Sequence, residues 1–433
     1  MTDYRPLPDE QRDVFHEYVS YAFAPEEGPS ASESEYDPEE EPERAKLGSR
    51  RGLYPDGESA DTGDDDLERP LCVCRHHWFD ARVRGDVHAA PGLSAVATPP
   101  ENRRIGFVRD LLRHSLAEYR DRGARFSVLW PFEYAFYRQY GWDTCNKRTV
   151  YECDPETLAF AADERRNEGS FSRLEADDYE SLAPTYEAHS SAYGLSLVRE
   201  EEWWRHRVFS SWETDPFVYA WERDGEVRGY LTYTVEEEDG RDEPTMAVTE
   251  LAFVDHEAHL ALLSFCANHD SQVGRVRLPA PEESRLLDLV GDPHDVDCTV
   301  KLGPMVRIVD VAETLSALSY AHLERAEESR AESREPVTLA VEDPLVEWND
   351  GVFSLGVSSE SDTTAVACEP VTTDPDATID VGALSQLAVG YRSARTLRRA
   401  GRLTLDGSEE RVIERLETLF PTTPTPGYLR DFF

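Results

Sequence analysis

Arg103-Arg104-Ile105-Gly106-Phe107-Val108 is the stretch of this 433-residue chain best suited to hold an anion. It follows Val96-Ala97-Thr98-Pro99-Pro100-Glu101-Asn102, which reads as a strand broken by two prolines. It opens the clearest amphipathic helix, expected over 103–122 from the spacing of Ile105, Val108, Leu111, Leu112, Leu116 and Tyr119, with Gly123 as its stop. A helix start offers N–H donors without intrahelical partners and a partial positive charge, so it suits a pyrophosphate. Two arginines there oppose the helix dipole, and holding an anion explains them better than an ordinary basic first turn does. A second reactive feature is the aromatic run Phe132-Glu133-Tyr134-Ala135-Phe136-Tyr137-Arg138-Gln139-Tyr140-Gly141-Trp142, whose plainer reading is a buried cluster. A third is the end of the sequence, Asp431-Phe432-Phe433, an aromatic terminus with no polar tail after it.

The elements that must position these residues follow from periodicity. Residues 7–24 read as a helix with Val14, Phe15, Tyr18, Val19, Tyr21 and Phe23 on its apolar face. Residues 27–69 are crowded with carboxylates and are expected to form a mobile acidic insert, with Arg50-Arg51-Gly52-Leu53-Tyr54 as an ordered island. Strands are expected at 71–79, 80–89, 93–97 and 125–130, then a short helix at 134–140 closed by Gly141 and a strand at 142–152. A second series has helices at 182–193 and 201–209, strands at 217–221 and 227–235 around Asp224-Gly225, a strand at 246–254, a helix at 256–267 and a strand at 275–278. This order repeats the first, but Asp255-His256-Glu257-Ala258-His259 replaces the glycine and arginines, so no pyrophosphate site is expected there. From about 305 come a helix capped by Asp310, an acidic stretch at 326–335, strands at 337–341 and 352–357, and helices at 381–389, 394–400 and 409–419. The fold class is thus α/β with α+β-type mixed sheets, in domains expected at 1–152, 153–304 and 305–433.

Composition narrows the partners. The net charge is −42, and lysine occurs only at Lys46, Lys147 and Lys301 among 45 basic residues. Such a surface suits a salt-saturated cytoplasm, where screening leaves little self-repulsion. It argues against nucleic acid and against an anionic membrane as partners. With no apolar run of about 18 residues and no apolar segment at the N-terminus, neither a membrane span nor a signal peptide is expected. Seven scattered cysteines fit a reducing cytoplasm. Cys72-Val73-Cys74 should place both thiols on one strand face. With no second pair, and no third ligand near His76-His77 or His256-x-x-His259, no metal is expected and these histidines read as surface residues.

Arg103–Val108 resembles motif A of the GNAT superfamily of N-acetyltransferases, (Arg/Gln)-x-x-Gly-x-(Gly/Ala), with Val108 in place of the small last residue. Tyr137-Arg138-Gln139-Tyr140-Gly141-Trp142 resembles the Tyr-x-x-x-Gly-aromatic motif of the same superfamily. Thr378-Ile379-Asp380-Val381-Gly382-Ala383-Leu384-Ser385-Gln386-Leu387, with Gly390-Tyr391 and Gly401-Arg402, is similar to a sterol-carrier-protein-like module. Tandem GNAT-like units, that module and a chain ending in Asp-Phe-Phe together resemble the Eis (enhanced intracellular survival) family, in a halophilic archaeal form, over nearly all of the chain outside 27–69.

The resemblance implies an acetyl-CoA-dependent N-acetyltransferase acting by direct attack of a primary amine, on a small molecule or a lysine side chain. It implies acetyl-CoA contacts at Val96, Ala97 and Thr98 (main chain beside the pantetheine), at Arg104, Ile105, Gly106, Phe107, Val108 and Arg109 (pyrophosphate), and at Phe132 and Glu133. It gives the acid role to Tyr137, since a phenol's reference pKa of about 10 lies not far above a thiol's ~8.5, and the base role to the terminal carboxylate of Phe433. It also implies a homo-oligomer, of hexameric type. Phe23, Glu26, Glu27 and Asp431 are candidates for meeting the amine by position. The alternative from another class is a non-catalytic binder of a small molecule or lipid, using the sterol-carrier-like module.

Overall fold

The structure is a computed structural model and describes residues 2–27, 42–56, 68–164, 169–212, 214–238, 240–241, 243–282, 284–324, 335–360, 363–406, 409–422 and 427–433. Most of the two acidic stretches, 28–41 with 57–67 and 325–334, lies outside the described residues. The chain divides into two units: Met1–Cys145 with Pro304–Thr423 and Asp431–Phe433, and Asn146–Gly303 with Pro424–Arg430.

The first unit contains a seven-stranded sheet in the order Thr2–Pro6, Ser49–Pro55, Cys72–His77, Gly92–Ala97, Phe126–Leu129, Met305–Ile308, Asp143–Thr144. The ordered island of the insert is therefore a full strand. The expected strand 80–89 is a hairpin, Asp80–Val83 with Asp86–Ala89, because Arg84 and Gly85 adopt φ of 54° and 94°. Arg84 then donates to the carbonyls of Leu387, Ala388 and Pro421, closing the end of the helix Val381–Ala388. The long helix spans Phe107–Asp121 and buries Leu111, Leu112, Leu116 and Tyr119 on the sheet, each worth roughly 1.5–3 kcal/mol. It starts four residues later than expected: Arg104 and Gly106 take φ of 62° and 106°, which no helix contains. The arginines thus belong to a turn that presents the helix start rather than to its first turn.

Met305–Ile308, expected in the third domain, lies inside this first sheet, antiparallel to Phe126–Leu129 and Asp143–Thr144. Its Arg307 is fully buried and paired with Asp343 at 2.5 Å, so a charged residue at the centre of a strand keeps a partner. The same unit holds a five-stranded sheet, in the order Thr363–Val371, Gly351–Glu360, Val337–Glu342, Ala377–Asp380, Leu403–Leu405, with the helices Val381–Ala388, Ala394–Arg399 and Glu409–Leu419.

The second unit repeats the pattern of the first sheet: Ser170–Arg173, Phe217–Arg223, Glu226–Glu236, Thr245–Phe253, Arg275–Pro281, Lys147–Cys153, Val296–Leu302. Lys147–Cys153 was expected to close the first domain, yet it pairs with Arg275–Pro281 and Val296–Leu302. The helix His256–Ala267 buries Leu260, Leu262 and Leu263 against this sheet. No helix among the described residues is long and apolar enough to cross a membrane.

Candidate active site

The site is organised by two parallel strands that barely pair. Gly92–Ala97 and Phe126–Leu129 share one register pair, Gly92 with Val128. Before it, Arg125 N–H reaches Ala89 and Val128 N–H reaches Pro91, at 2.9 and 3.0 Å. Beyond it, the first strand continues with Cys72–His77 on its other side, where the register slips between Val73 and Arg75 and Ala95 takes φ 49°. The ladder between the two parallel strands ends there, and the facing backbone edges of Leu93–Ala97 and Trp130 are left for another chain of polar atoms.

At the far end of the first strand, Val96 and Ala97 are buried and Thr98 is half-buried, its carbonyl already taken by Arg103 Nε at 3.0 Å. Gly106 caps the long helix without a side chain, and no described side chain caps it. Asp110 N–H is the first to close onto Gly106, so the N–H groups of Phe107, Val108 and Arg109 have no partner among the described residues. Gly106 needs to be glycine for its φ of 106°; a Cβ there meets nothing within 4 Å, so the requirement is conformational and the space above it is open. Arg104 and Ile105 are exposed on this turn, whereas Arg109 bonds the carbonyl of Pro344 at 3.3 Å. The corresponding helix start in the second unit differs: the Asp255 carboxylate accepts from Ala258 N–H and is held by Arg223 and Arg228. That start is filled by an anion of the chain itself.

On the other strand, Leu129 runs on through Trp130 to the helix Tyr134–Arg138. Tyr137 is buried, edge-on to Phe132 at 5.8 Å and to Phe136 at 5.2 Å. Its hydroxyl has no hydrogen-bond partner among the described residues. Burial, with Cys74 nearby, drives its pKa well above the usual phenol value. Tyr137 is therefore a firmly neutral donor, further from a thiol's pKa than its residue type suggests. Gly141 ends this segment because Arg307 lies where a Cβ would stand and φ is +89°. Tyr134 instead donates its hydroxyl to Asp143, and the Tyr140 carbonyl accepts from Arg307, so these two residues are structural. Phe132 is exposed and meets Phe23 edge-on at 6.2 Å; Glu133 is exposed at the helix start with no capping bond.

Phe433 comes to the point where the parallel ladder ends. Its ring is buried against Phe79 at 5.0 Å and His77 at 5.6 Å, and a Cβ on Gly92 would stand 2.6 Å from it. Trp130 Nε1 donates to the Asp431 carbonyl at 2.7 Å, and the exposed Phe432 lies 5.4 Å from the Trp130 ring. Asp431 is buried, whereas Glu26 is exposed. The pairs Phe433–Gly92 and Phe432–Trp130 thus bracket the same two strands as Val96 and Phe132. Sequence reasoning missed Gly92, His77 and Phe79. His76 and His77, expected at the surface, are both buried; His76 has its pKa lowered to about 3 by burial. His77 bonds Ser94 at 3.2 Å and stacks on Phe79. Their strand is covered on both faces, which a polar pair gave no hint of.

With this geometry in view, likenesses to known proteins gain meaning. Residues 3–145 and 195–308 each match an acetyltransferase (GNAT) domain family, and 311–428 match a sterol carrier protein domain. A Streptomyces avermitilis protein described as an uncharacterized N-acetyltransferase is 27% identical over 353 residues, which cover 77% of this chain and 79% of that protein. Among solved structures, the GCN5-related N-acetyltransferase from Anabaena variabilis aligns with a TM-score of 0.78 at 18% identity, and Eis1 from Mycobacterium abscessus with 0.71 at 22%; each alignment covers 100% of both chains. At these identities the structural likeness is one of fold. The chain is an acyltransferase with two GNAT domains and a sterol carrier protein domain. Its two GNAT domains match a family of N-acetyltransferases that use acetyl-CoA as cosubstrate and amines as acceptors.

Proposed function

We propose that the protein acetylates a primary amine by direct attack on acetyl-CoA, with Tyr137 as acid and the terminal carboxylate of Phe433 as base. The observation that carries this reading is the seat of Phe433 on Gly92, at the end of the parallel ladder whose other strand leads to Tyr137. The open turn Arg104–Arg109 supports a pyrophosphate there, because three N–H groups at the helix start lack partners among the described residues and Arg104 is exposed beside them in sequence. The edge Val96–Thr98 and the exposed Phe132 and Glu133 then flank the pantetheine. In the second unit, Asp255 repels the same group, which supports a non-catalytic role for that domain.

In the reaction, the amine nitrogen bonds to the thioester carbon and the carbon–sulfur bond breaks. The ammonium proton passes to the Phe433 carboxylate. The leaving sulfur accepts a proton from Tyr137, and solvent returns the carboxylic proton to the phenolate. An α-carboxylate is ordinarily a weak base, and the reading requires that withdrawal from water raise its affinity for the proton. Exposed Phe23, Phe132 and Phe432 offer ring faces to a cationic acceptor, either a small amine or a lysine side chain. The reading also includes a homo-oligomer of six copies, an Eis-like kinship and a salt-adapted cytoplasmic setting.

The test is thiol release from acetyl-CoA across an amine library in molar KCl, with calorimetry for acetyl-CoA binding. Micromolar binding with amine-dependent thiol release is expected. Binding without turnover for any amine would remove the transfer chemistry.

A further inference from the structure

The second unit contains a cavity of about 520 Å³, within the range of small-molecule sites. It lies where another parallel pair comes apart. Thr245, Met246 and Ala247 pair with Arg275, Val276 and Arg277, after which Leu278–Pro281 pairs only with the strand Lys147–Cys153. Leu251, Leu263, Leu278, Pro279 and Leu289 give the cavity an apolar wall.

Its buried polar groups are imidazoles and phenols; the one arginine of the lining, Arg285, is exposed. His189 Nδ1 lies 3.0 Å from the carbonyl and 3.2 Å from the N–H of Phe253, so the backbone satisfies it in either tautomer and Nε2 is left for another partner. His259 stacks on the same Phe253 at 4.3 Å, and its ring has no hydrogen-bond partner among the described residues. Burial lowers the pKa of both imidazoles to about 4, so both are neutral at pH 7. Tyr428, also in the lining, has its pKa raised to about 12 by burial and is likewise neutral. A charged group placed beside His189, His259 and Tyr428 would lose its hydration, and the exposed, solvated Arg285 offsets little of that loss. A nucleotide is excluded as well, since Asp255 occupies the adjacent helix start.

We propose that this cavity binds an uncharged, mainly apolar small molecule that presents one hydrogen-bonding group to His189 and His259. The site is separate from acetyl transfer and does not depend on it.

The probe is the neutral dye N-phenyl-1-naphthylamine, titrated into the full-length protein and followed by its fluorescence. Saturable binding of one dye per chain is expected. Ala280→Trp, which fills the cavity, should weaken it at least tenfold while calorimetric acetyl-CoA affinity stays within twofold. Should Ala280→Trp lose its circular-dichroism signature of folding, Ala192→Trp at the exposed rim takes its place with the same expectation. The anionic relative 8-anilinonaphthalene-1-sulfonate should bind at least tenfold more weakly. Absent saturable binding, dye binding that the folded tryptophan variant leaves unchanged, or equal binding of both dyes overturns the proposal.

Discussion

Appending a short Gly-Ser tail after Phe433 separates the two things the last residue does. The tail turns the terminal carboxylate into an amide and so deletes the proposed base. General base catalysis is typically worth 10²–10⁴ in rate, or about 3–5 kcal/mol of barrier. The tail leaves the packing in place: the ring stays between Phe79 and His77, and Trp130 keeps its 2.7 Å bond to Asp431. Melting temperature should therefore shift by no more than about 2 °C, since a small loss of well under 1 kcal/mol moves it only slightly. Acetyl-CoA affinity should hold within about threefold, because Gly92 and Ala97 are five strand steps apart, about 16 Å, and the proposed pyrophosphate turn lies beyond Ala97. The assays are thiol release for kcat and calorimetry for affinity. A tailed enzyme within threefold of the wild-type kcat would refute the base assignment. Gly92→Val supplies the matching control. Its Cβ would stand 2.6 Å from the Phe433 ring, so it should unseat the terminus and lower kcat by a comparable factor with the carboxylate intact. If the tail abolishes turnover and Gly92→Val does not, the seat on Gly92 is irrelevant to the chemistry.

Tyr137→Phe should lower kcat about 10²-fold or more, with acetyl-CoA affinity and melting temperature nearly unchanged, since the hydroxyl makes no hydrogen bond within the described residues. Because burial raises the Tyr137 pKa above the ordinary phenol value, the wild-type rate should show no downturn between pH 8 and 10; a fall centred near pH 9 counts against the argument. Gly106→Ala forces a side-chain residue into φ 106° and should raise the acetyl-CoA dissociation constant roughly tenfold, a strain of about 1–2 kcal/mol, with kcat at saturation little altered. Glu118 pays a burial penalty that its bonds to Arg51 and Tyr4 outweigh, so its pKa falls to about 2. A depressed folded-state pKa contributes stability above the unfolded value near 4.5 that is lost as pH drops through about 2. Glu118→Gln should therefore cost on the order of 2–3 kcal/mol at pH 7 and flatten the acid limb of denaturation in that window; an unchanged limb would show the Arg51 pair to be without net effect.

Regular elements were legible wherever period and punctuation agreed. The helices at 256–267 and 409–419 lie where their apolar spacing puts them, the first under its Asp255 cap. The long helix was read four residues too early, because Ile105 extends the apolar pattern although it is 63% exposed on a turn. Periodicity reports which residues repeat, and only the backbone dihedrals of Arg104 and Gly106 decide where the helix can begin. Short strands carried the least information. Met-Val-Arg-Ile at 305–308 spells a strand, but its place in the first sheet depends on Asp343 neutralising Arg307.

The glycine turn before the long helix, the Tyr137 segment and the duplicated order of elements were already written in residue types and spacing, because such features depend on neighbours a few positions apart. The seat of Phe433 was decided by tertiary structure alone. Gly92, His77 and Phe79 lie more than 300 residues before it, and nothing in their own spacing marks them. A socket of that kind exists only once a sheet has brought distant backbone together and left one position without a side chain.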